Sequence, residues 1–420
     1  MKKKIQGLAL LVLVLFANTI YGQNSISTGQ LDGRQNTITS AVPFLMITPN
    51  ARAGGMGDVG AAVPNDPNAI HWNASKMVFN DKKGMVSLSY NPWLRALVPD
   101  VSLSYLSVMG MINEKSAIGG SLRYFSLGEI QFTDQFGSSL GKANPSEWAA
   151  DLAYAQKLSD NLSLAVAFRF IYSNIAGGAQ TQSQSGISAG TAYASDISGY
   201  YHNNTSIEGY KINYGIGAAI TNIGSKLTYT TDQNANFIPI NLRLGGFGQI
   251  AVDKYNTIAL ALDLNKLMVP TPPVYKTDAS GNYVYDQSTG EPIVEAGKKS
   301  NVPVLQGMFQ SFYDAPGGIK EEWNEVNIAT GLEYWYDKQF ALRTGYFYEN
   351  QYKGNRKYAT FGLGLKYNVF TIDAAYLVSF GQRNPLDNTI RFTLGLDFEA
   401  LKSNKNEKEQ PVQIFEAPKD

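Results

Sequence analysis

From Met85 onward the chain alternates in twos, with large apolar side chains on one set of positions and small or polar ones on the other. A wall with hydrocarbon outside and water or a plug inside requires that pattern. Within 357–370, Ala359, Phe361, Leu363, Leu365, Tyr367 and Val369 share one face, and Thr360, Gly362, Gly364, Lys366 and Asn368 share the other. Within 389–400, Ile390, Phe392, Leu394, Leu396 and Phe398 oppose Arg391, Thr393, Gly395, Asp397 and Glu399. Leu162, Leu164, Val166, Phe168, Phe170 and Tyr172 form a third apolar face. Ile258, Leu260, Leu262 and Leu264 form a fourth, opposite Ala259, Ala261 and Asp263. A soluble β-sandwich alternates as well, so the period alone does not decide between them.

The connections do. Strands are predicted at 85–94, 101–112, 116–134, 147–159, 161–175, 209–224, 225–232, 238–253, 256–270, 326–339, 340–352, 357–370, 371–383 and 389–400. The weakest is 225–232, which leaves twelve strands as the alternative to fourteen. Even-numbered strands are followed by tight reversals at 113–115, Asp160, the Gly224 break, Lys254–Tyr255, and the Gln339 and Phe370 junctions. The long connections, 135–146, 176–208 and 271–325, follow odd-numbered strands. Short turns on one rim and long loops on the other are the asymmetry of an outer-membrane barrel, with turns periplasmic and loops extracellular. An even count places both barrel ends in the periplasm. The expected fold is all-β: a transmembrane antiparallel β-barrel of about fourteen strands spanning 85–400.

Three segments lie outside this wall. Lys2, Lys3 and Lys4 followed by the apolar run Ile5–Ala17 read as a signal peptide, 1–22, cleaved after Gly22, although Ile20 departs from the small-residue rule. No later stretch supplies the roughly 18 apolar residues of a membrane helix. Residues 23–84, rich in Gly, Asn, Pro and Ala, lack alternation and are expected to plug the lumen. The charged tail 401–420, with Pro411 and Pro418, is expected as a periplasmic extension.

Composition narrows the chemistry. Lys plus Arg and Asp plus Glu are 35 each, so no net charge points to nucleic acid. With no Cys, disulfides, thiolate metal sites, lipoprotein acylation and Cys nucleophiles are excluded. Only His71 and His202 are present, which excludes a His-rich metal site. Charged residues are 17%, and Tyr 25 and Gly 40 are high, as girdles and tight turns demand. Neither a metal nor a cofactor is expected.

Two motif matches fail on context. GISAG at 186–190 fits the nucleophile-elbow pattern but sits in a Ser/Gln/Gly/Ala loop without the strand and helix that chemistry needs. GMGDVG at 55–60 fits a dinucleotide fingerprint, yet no helical period follows. Its glycines are better read as letting the plug backbone turn sharply against the inner wall. His71, beside Trp72, is expected to be packed and hydrogen-bonded, and His202 to be solvated in a loop. No catalytic residue is expected. In 271–325 the first half is polar and turn-rich. In the second, Val304, Leu305, Met308, Phe309 and Phe312 are spaced as one face of a short helix with Asn301 as its cap. Such a face is either a docking surface for a partner or a lid on the barrel mouth, and the two are compatible.

ARAGGMGDVGAA (51–62) with NDPNAIHWNASKM (65–77) resembles the N-terminal motif of the FadL-like outer-membrane barrels. That resemblance implies fourteen strands around an internal N-terminal plug. NPWLRALVPD at 91–100 makes the chain most similar to the PorV-like branch, the barrels of the type IX secretion system. The residues that carry the match are Arg52, Gly54, Gly55, Met56, Gly57, Asp58, Asp66, Asn68, Trp72 and Asn73 in the plug. Pro92, Trp93 and Leu94 carry it in the first hairpin. The resemblance implies a non-enzymatic role: cargo bearing a C-terminal signal domain is received from the translocon barrel and delivered to a surface attachment complex with a PorU-like transpeptidase. Partner-docking candidates are therefore Pro92, Trp93, Leu94, Met308, Phe309 and Phe312, with outer-membrane lipid around the wall. One departure is that the chain runs past Phe398 into a charged tail instead of stopping at an aromatic strand end. The competing function of this fold is transport of hydrophobic small molecules.

Overall fold

The computed structural model describes residues 36–80, 82–93, 100–133, 136, 138–177, 188–230, 235–380 and 389–398. The expected signal peptide, Leu94, Gly186 and Ile187 of the GISAG match, and the tail 401–420 lie outside the described residues. The unit from Thr37 onward is described here.

Its strands, in chain order, are β1 (Gly84–Pro92), β2 (Ser102–Asn113), β3 (Ser116–Ser126), β4 (Ile130–Thr133), β5 (Ser139–Ala143), β6 (Ser146–Lys157), β7 (Leu162–Asn174), β8 (Gly190–Ile207) and β9 (Tyr210–Gly224). They continue as β10 (Asn241–Ala251), β11 (Asn256–Leu267), β12 (Val274–Tyr275), β13 (Val294–Ala296), β14 (Val326–Tyr336), β15 (Phe340–Tyr348), β16 (Lys357–Tyr367), β17 (Phe370–Ser379) and β18 (Ile390–Asp397). All but β4, β5, β12 and β13 close into a fourteen-stranded barrel, each wall strand antiparallel to its neighbours. The seam is β1 against β18, from Met85↔Asp397 to Tyr90↔Phe392.

The alternation faces as the sequence pattern requires. In β7, Leu162, Leu164, Val166 and Phe168 are exposed on the outside, while Ser163, Ala165, Ala167, Arg169 and Ile171 are buried inside. In β11, Ile258, Leu260, Leu262 and Leu264 point out and Ala259, Ala261 and Asp263 point in. Leu394, Leu88, Leu106 and Leu122 are cross-strand partners in turn, which makes a continuous apolar belt. Aromatic side chains flank it: Trp148, Phe170, Tyr172 and Tyr193 interlock toward one rim, Tyr255 and Tyr336 toward the other.

The connections alternate strictly. Residues 114–115, 158–161, 208–209, 252–255, 337–339 and 368–369 close the short rim, and every other connection is longer. Glu208 with Gly209, and Asp337 with Lys338, carry the paired positive φ of tight primed hairpins.

Fourteen strands is the expected count, but its membership needs correction. Residues 190–207, placed within the loop 176–208, form the longest wall strand, whereas 225–232 is not a strand. The outward set of β8 mixes Thr191 and Ser195 with Tyr193 and Ile197, and Tyr200 faces inward, so its alternation is blurred. Leu227 and Tyr229 do alternate with Lys226 and Thr228. Leu227 makes only an isolated bridge to Asn236 and buries itself in the apolar cluster under the long loops. Gly224 ends a strand before a long connection and is not a reversal. The expected strand 116–134 splits, with 130–133 pairing with 139–143 as a hairpin outside the wall.

Residues 41–79 run through the barrel interior. At the long-loop end Val42, Phe44 and Leu45 pack with Leu103, Phe125, Ile171, Phe237, Ile238, Met268 and Met308. Midway, Met56, Val59 and Val63 meet Phe247, Ala261, Ala329 and Phe347. Ile70, Met77 and Val78 meet Met109, Ala117, Ala153 and Ala165 toward the short rim. The approach is close enough that a Cβ on Gly345 would strike the Gly57 backbone nitrogen, and Gly57 itself has φ 71°. Glycine in both surfaces lets backbone meet backbone.

Candidate functional site

The interior segment is tied to the wall by charge. Arg52, on the helical turn Ala51–Gly54, donates from Nε and Nη2 to both oxygens of Glu333 at 3.0 and 2.9 Å. Its Nη1 lies 3.4 Å from Asp66. Glu333 also accepts from Arg343 Nε at 2.7 Å, and Arg343 Nη1 reaches Asp373 at 2.7 Å. The chain of charges therefore links the segment to β14, β15 and β17. Asp58 accepts from Arg391 Nη1 and from the Tyr358 hydroxyl, both at 2.5 Å.

The remaining motif residues bond or pack against both backbone and side chains of the interior. Asn68 Oδ1 accepts from Ser87 at 2.7 Å, and Asp66 Oδ1 accepts from the Asn68 amide at 2.8 Å. Asn73 Nδ2 donates to the carbonyls of Ala61 and Gly199, each at 3.0 Å. Trp72 Nε1 donates to Asn50 at 2.9 Å, and the Arg243 guanidinium lies 4.5 Å over its ring. Met56 is fully buried. Gly54 lies against Arg391, and Gly55 against the backbone of Gly362. The structure thus brings all ten plug-motif residues into one interior network.

Several members of that network escaped the sequence reading. Asp263 accepts from the amides of Gly60 and Ala61 at 2.8 and 2.9 Å, and Lys76 Nζ donates to the carbonyls of Gly60 and Val63 at 2.6 and 3.0 Å. Arg169 joins Asp151, Asp196 and Asn222 on the wall itself. For the wall members the sequence signal is a charge on the small-residue face of a strand, as at Asp263 after Ala259 and Ala261; Lys76, in the turn Ala74–Phe79, carries no such signal. His71 is packed as expected, with Nδ1 2.5 Å from Arg123 Nη2 and its ring against Trp72. His202 is corrected: it lies on β8, half-buried, with its ring centroid 4.1 Å from that of Phe79.

The long connection 268–325 is more ordered than its composition suggested. Its polar half forms the β12–β13 hairpin, extended by the bridges Thr277↔Tyr283 and Tyr285↔Pro292. The expected helix is present as Val304–Gln310, but Pro303 stands at its N-cap and Asn301 instead accepts from Lys226. Met308 and Phe309 do not share a face. Met308 is 5% exposed in the cluster with Phe237 and Met268, whereas Phe309 is 66% exposed. Leu305, Phe309 and Phe312, spaced by four and three residues, form the open face, and Ile319 and Trp323 of the helix Ile319–Asn324 are also exposed. Under this loop Glu322 and Glu325 both take Lys266, at 3.0 and 2.5 Å, and Glu325 also takes Lys353 at 2.9 Å. Of the first-hairpin candidates, Pro92 ends β1 and Trp93 is half-buried against the same apolar cluster.

A closed antiparallel wall, apolar outside with aromatic side chains toward both rims and polar or small inside, defines a β-barrel of the outer-membrane kind. The model for the type IX secretion system protein PorV matches residues 30–274, more than half of the chain. The chain belongs to that family. No curated protein matches it. Among solved structures it is similar to the Pseudomonas putida toluene transporter TodX, with 11% identity, TM-score 0.45, and coverage of 84% of this chain and 98% of that one. It is also similar to the Ralstonia pickettii toluene transporter TbuX (11%, TM-score 0.40, 82% and 96%). A Pseudomonas aeruginosa FadL homologue gives 12% identity, TM-score 0.39, and coverage of 84% and 99%.

Proposed function

We propose that this chain is a non-enzymatic outer-membrane component of type IX secretion, with its long loops outside the cell and both barrel ends in the periplasm. It receives cargo through the cargo's C-terminal signal domain from the translocon barrel. It then delivers that cargo to the surface attachment complex containing a PorU-like transpeptidase. The observation that carries this reading is an apolar face, Leu305, Phe309 and Phe312, left open on a loop that seals its own barrel with Met308. A filled interior puts the work at the rim, and exposed clustered aromatics are what a partner buries. Transport of a hydrophobic small molecule would need an apolar route through the lumen. The described interior is instead crossed by buried ion pairs such as Arg52–Glu333–Arg343. The plug motif serves this reading by holding the interior closed.

Leu305→Ser, Phe309→Ser and Phe312→Ser together should leave the barrel folded, since none packs in the wall, while cargo accumulates unexported or unanchored. Recovery of the translocon and attachment partners in mild detergent should fall. Normal secretion with full partner recovery in the folded triple variant would remove the docking role.

A further inference from the structure

At the short-turn rim the lumen opens into a cavity of about 690 Å³ that the secretion reading does not use. Its ionisable lining is Lys211, Lys338 and Lys366, with no carboxylate among the lining residues. Deeper in the interior, Arg52, Arg343, Arg391 and Arg169 each hold a carboxylate, and Lys76, Arg123 and Arg243 are held by carbonyl, imidazole or amide acceptors. Three cations around one opening, with no carboxylate lining it, concentrate anions there. Trp335 adds a flat apolar wall.

A second feature of the same place selects the class of ligand. The register of β8 with β7 ends at Leu162↔Tyr201, yet β8 continues to Ile207. Asn161 still accepts from the amide of His202 and donates to its carbonyl, and the Asn203 side chain accepts from the Asn204 amide. The β7-facing edge is therefore left open to a further strand beyond Asn204 alone; Asn204, Thr205 and Ser206 line the cavity. The wall strands around the cavity are paired with one another, which closes it to lipid from the side. We propose that this vestibule binds an extended acidic peptide segment of a partner, its backbone along the β8 edge and its carboxylates on Lys211, Lys338 and Lys366. That the partner is periplasmic rests on the sidedness proposed above; the binding itself does not.

Full-length protein in detergent would be titrated with a short fluorescein-labelled glutamate-rich peptide and followed by anisotropy. Binding that weakens with salt, and about tenfold or more in the K211Q/K366Q variant, is expected, because charge-assisted contacts are lost. A glutamine analogue of the peptide should bind the wild type no better than the variant binds the acidic one. Equal affinity of wild type and variant, or of the two peptides, overturns the proposal. So does displacement of the peptide by inorganic phosphate or phosphatidylglycerol micelles at lower concentration than unlabelled peptide, which would mark an ion or lipid site. Heat-modifiable migration establishes that the variant is folded, and because no secretion step is involved, failure here leaves the docking role standing.

Discussion

At Asp314, beneath the helix Val304–Gln310, Oδ2 accepts from the Thr271 amide at 3.2 Å while Oδ1 has no hydrogen-bond partner. Burial is the largest cause pushing its pKa up to about 6; Thr271 and Gln310 oppose it, and Glu322 and Glu325 reinforce it. An open loop would titrate near 3.8, so the packed loop binds more protons between that value and about 6. Its packing is then firmest below the lower value, weakens as pH rises to about 6, and is level above. Hydrogen exchange of the Val304–Gln310 amides, corrected for intrinsic rates, should show protection falling from pH 4.5 to pH 7 in the wild type and nearly constant in Asp314→Asn. The same fall in both proteins would assign the effect to another group. Neighbouring residues show how far a sequence reads at this scale. The spacing of Met308 and Phe309 announces a helix, but which of them is buried depends on Phe237 and Met268, far along the chain.

In β18 the period is legible because large apolar residues alternate with Arg391, Thr393 and Gly395 without exception. Leu394 lies in the outward belt beside Leu88, and Thr393 faces inward, where its hydroxyl bonds Ser89 and the Ala51 amide. Leu394→Arg should therefore cost roughly 2–4 kcal/mol of barrel stability near mid-membrane, seen as a lower yield of folded, heat-modifiable protein. Leu394→Ala should assemble nearly as well as the wild type. Full yield for the arginine variant would place this face away from lipid. β8 illustrates the converse. Its lipid-facing set contains Thr191 and Ser195, and its register with β9 shifts between Ser195 and Ile197, where Asp196 accepts from the Asn222 amide at 2.7 Å. A polar outward residue and a bulge each erase the period over the short window in which a strand is recognised.

Across the whole molecule, interior segment and wall share buried charges whose removal cannot be absorbed locally. Glu333 is buried and serves both Arg52 and Arg343, so Glu333→Gln leaves half-buried Arg52 with the longer contact to Asp66 as its anion and buried Arg343 with Asp373 alone. A buried charge left wholly without a partner costs about 3–5 kcal/mol, and the retained contacts to Asp66 and Asp373 keep the cost below that. The temperature at which the folded gel band converts to the unfolded one should fall clearly. An unchanged temperature would mean that the tie adds nothing to the barrel's stability.

Strand period, the alternation of short and long connections, and the Gly-rich run at 51–62 are local properties, and they determined the fold class and the place where backbone packs against backbone; the count of fourteen came out right only because 225–232 stood in for 190–207. The identity of two wall segments, the interior ion pairs and the open face of the long loop were decided only by tertiary structure. Arg52 and Glu333 are 281 positions apart, and no local pattern pairs them. A closed wall brings every inward side chain to one shared volume, and which charges meet there follows from shear and packing around the whole circumference.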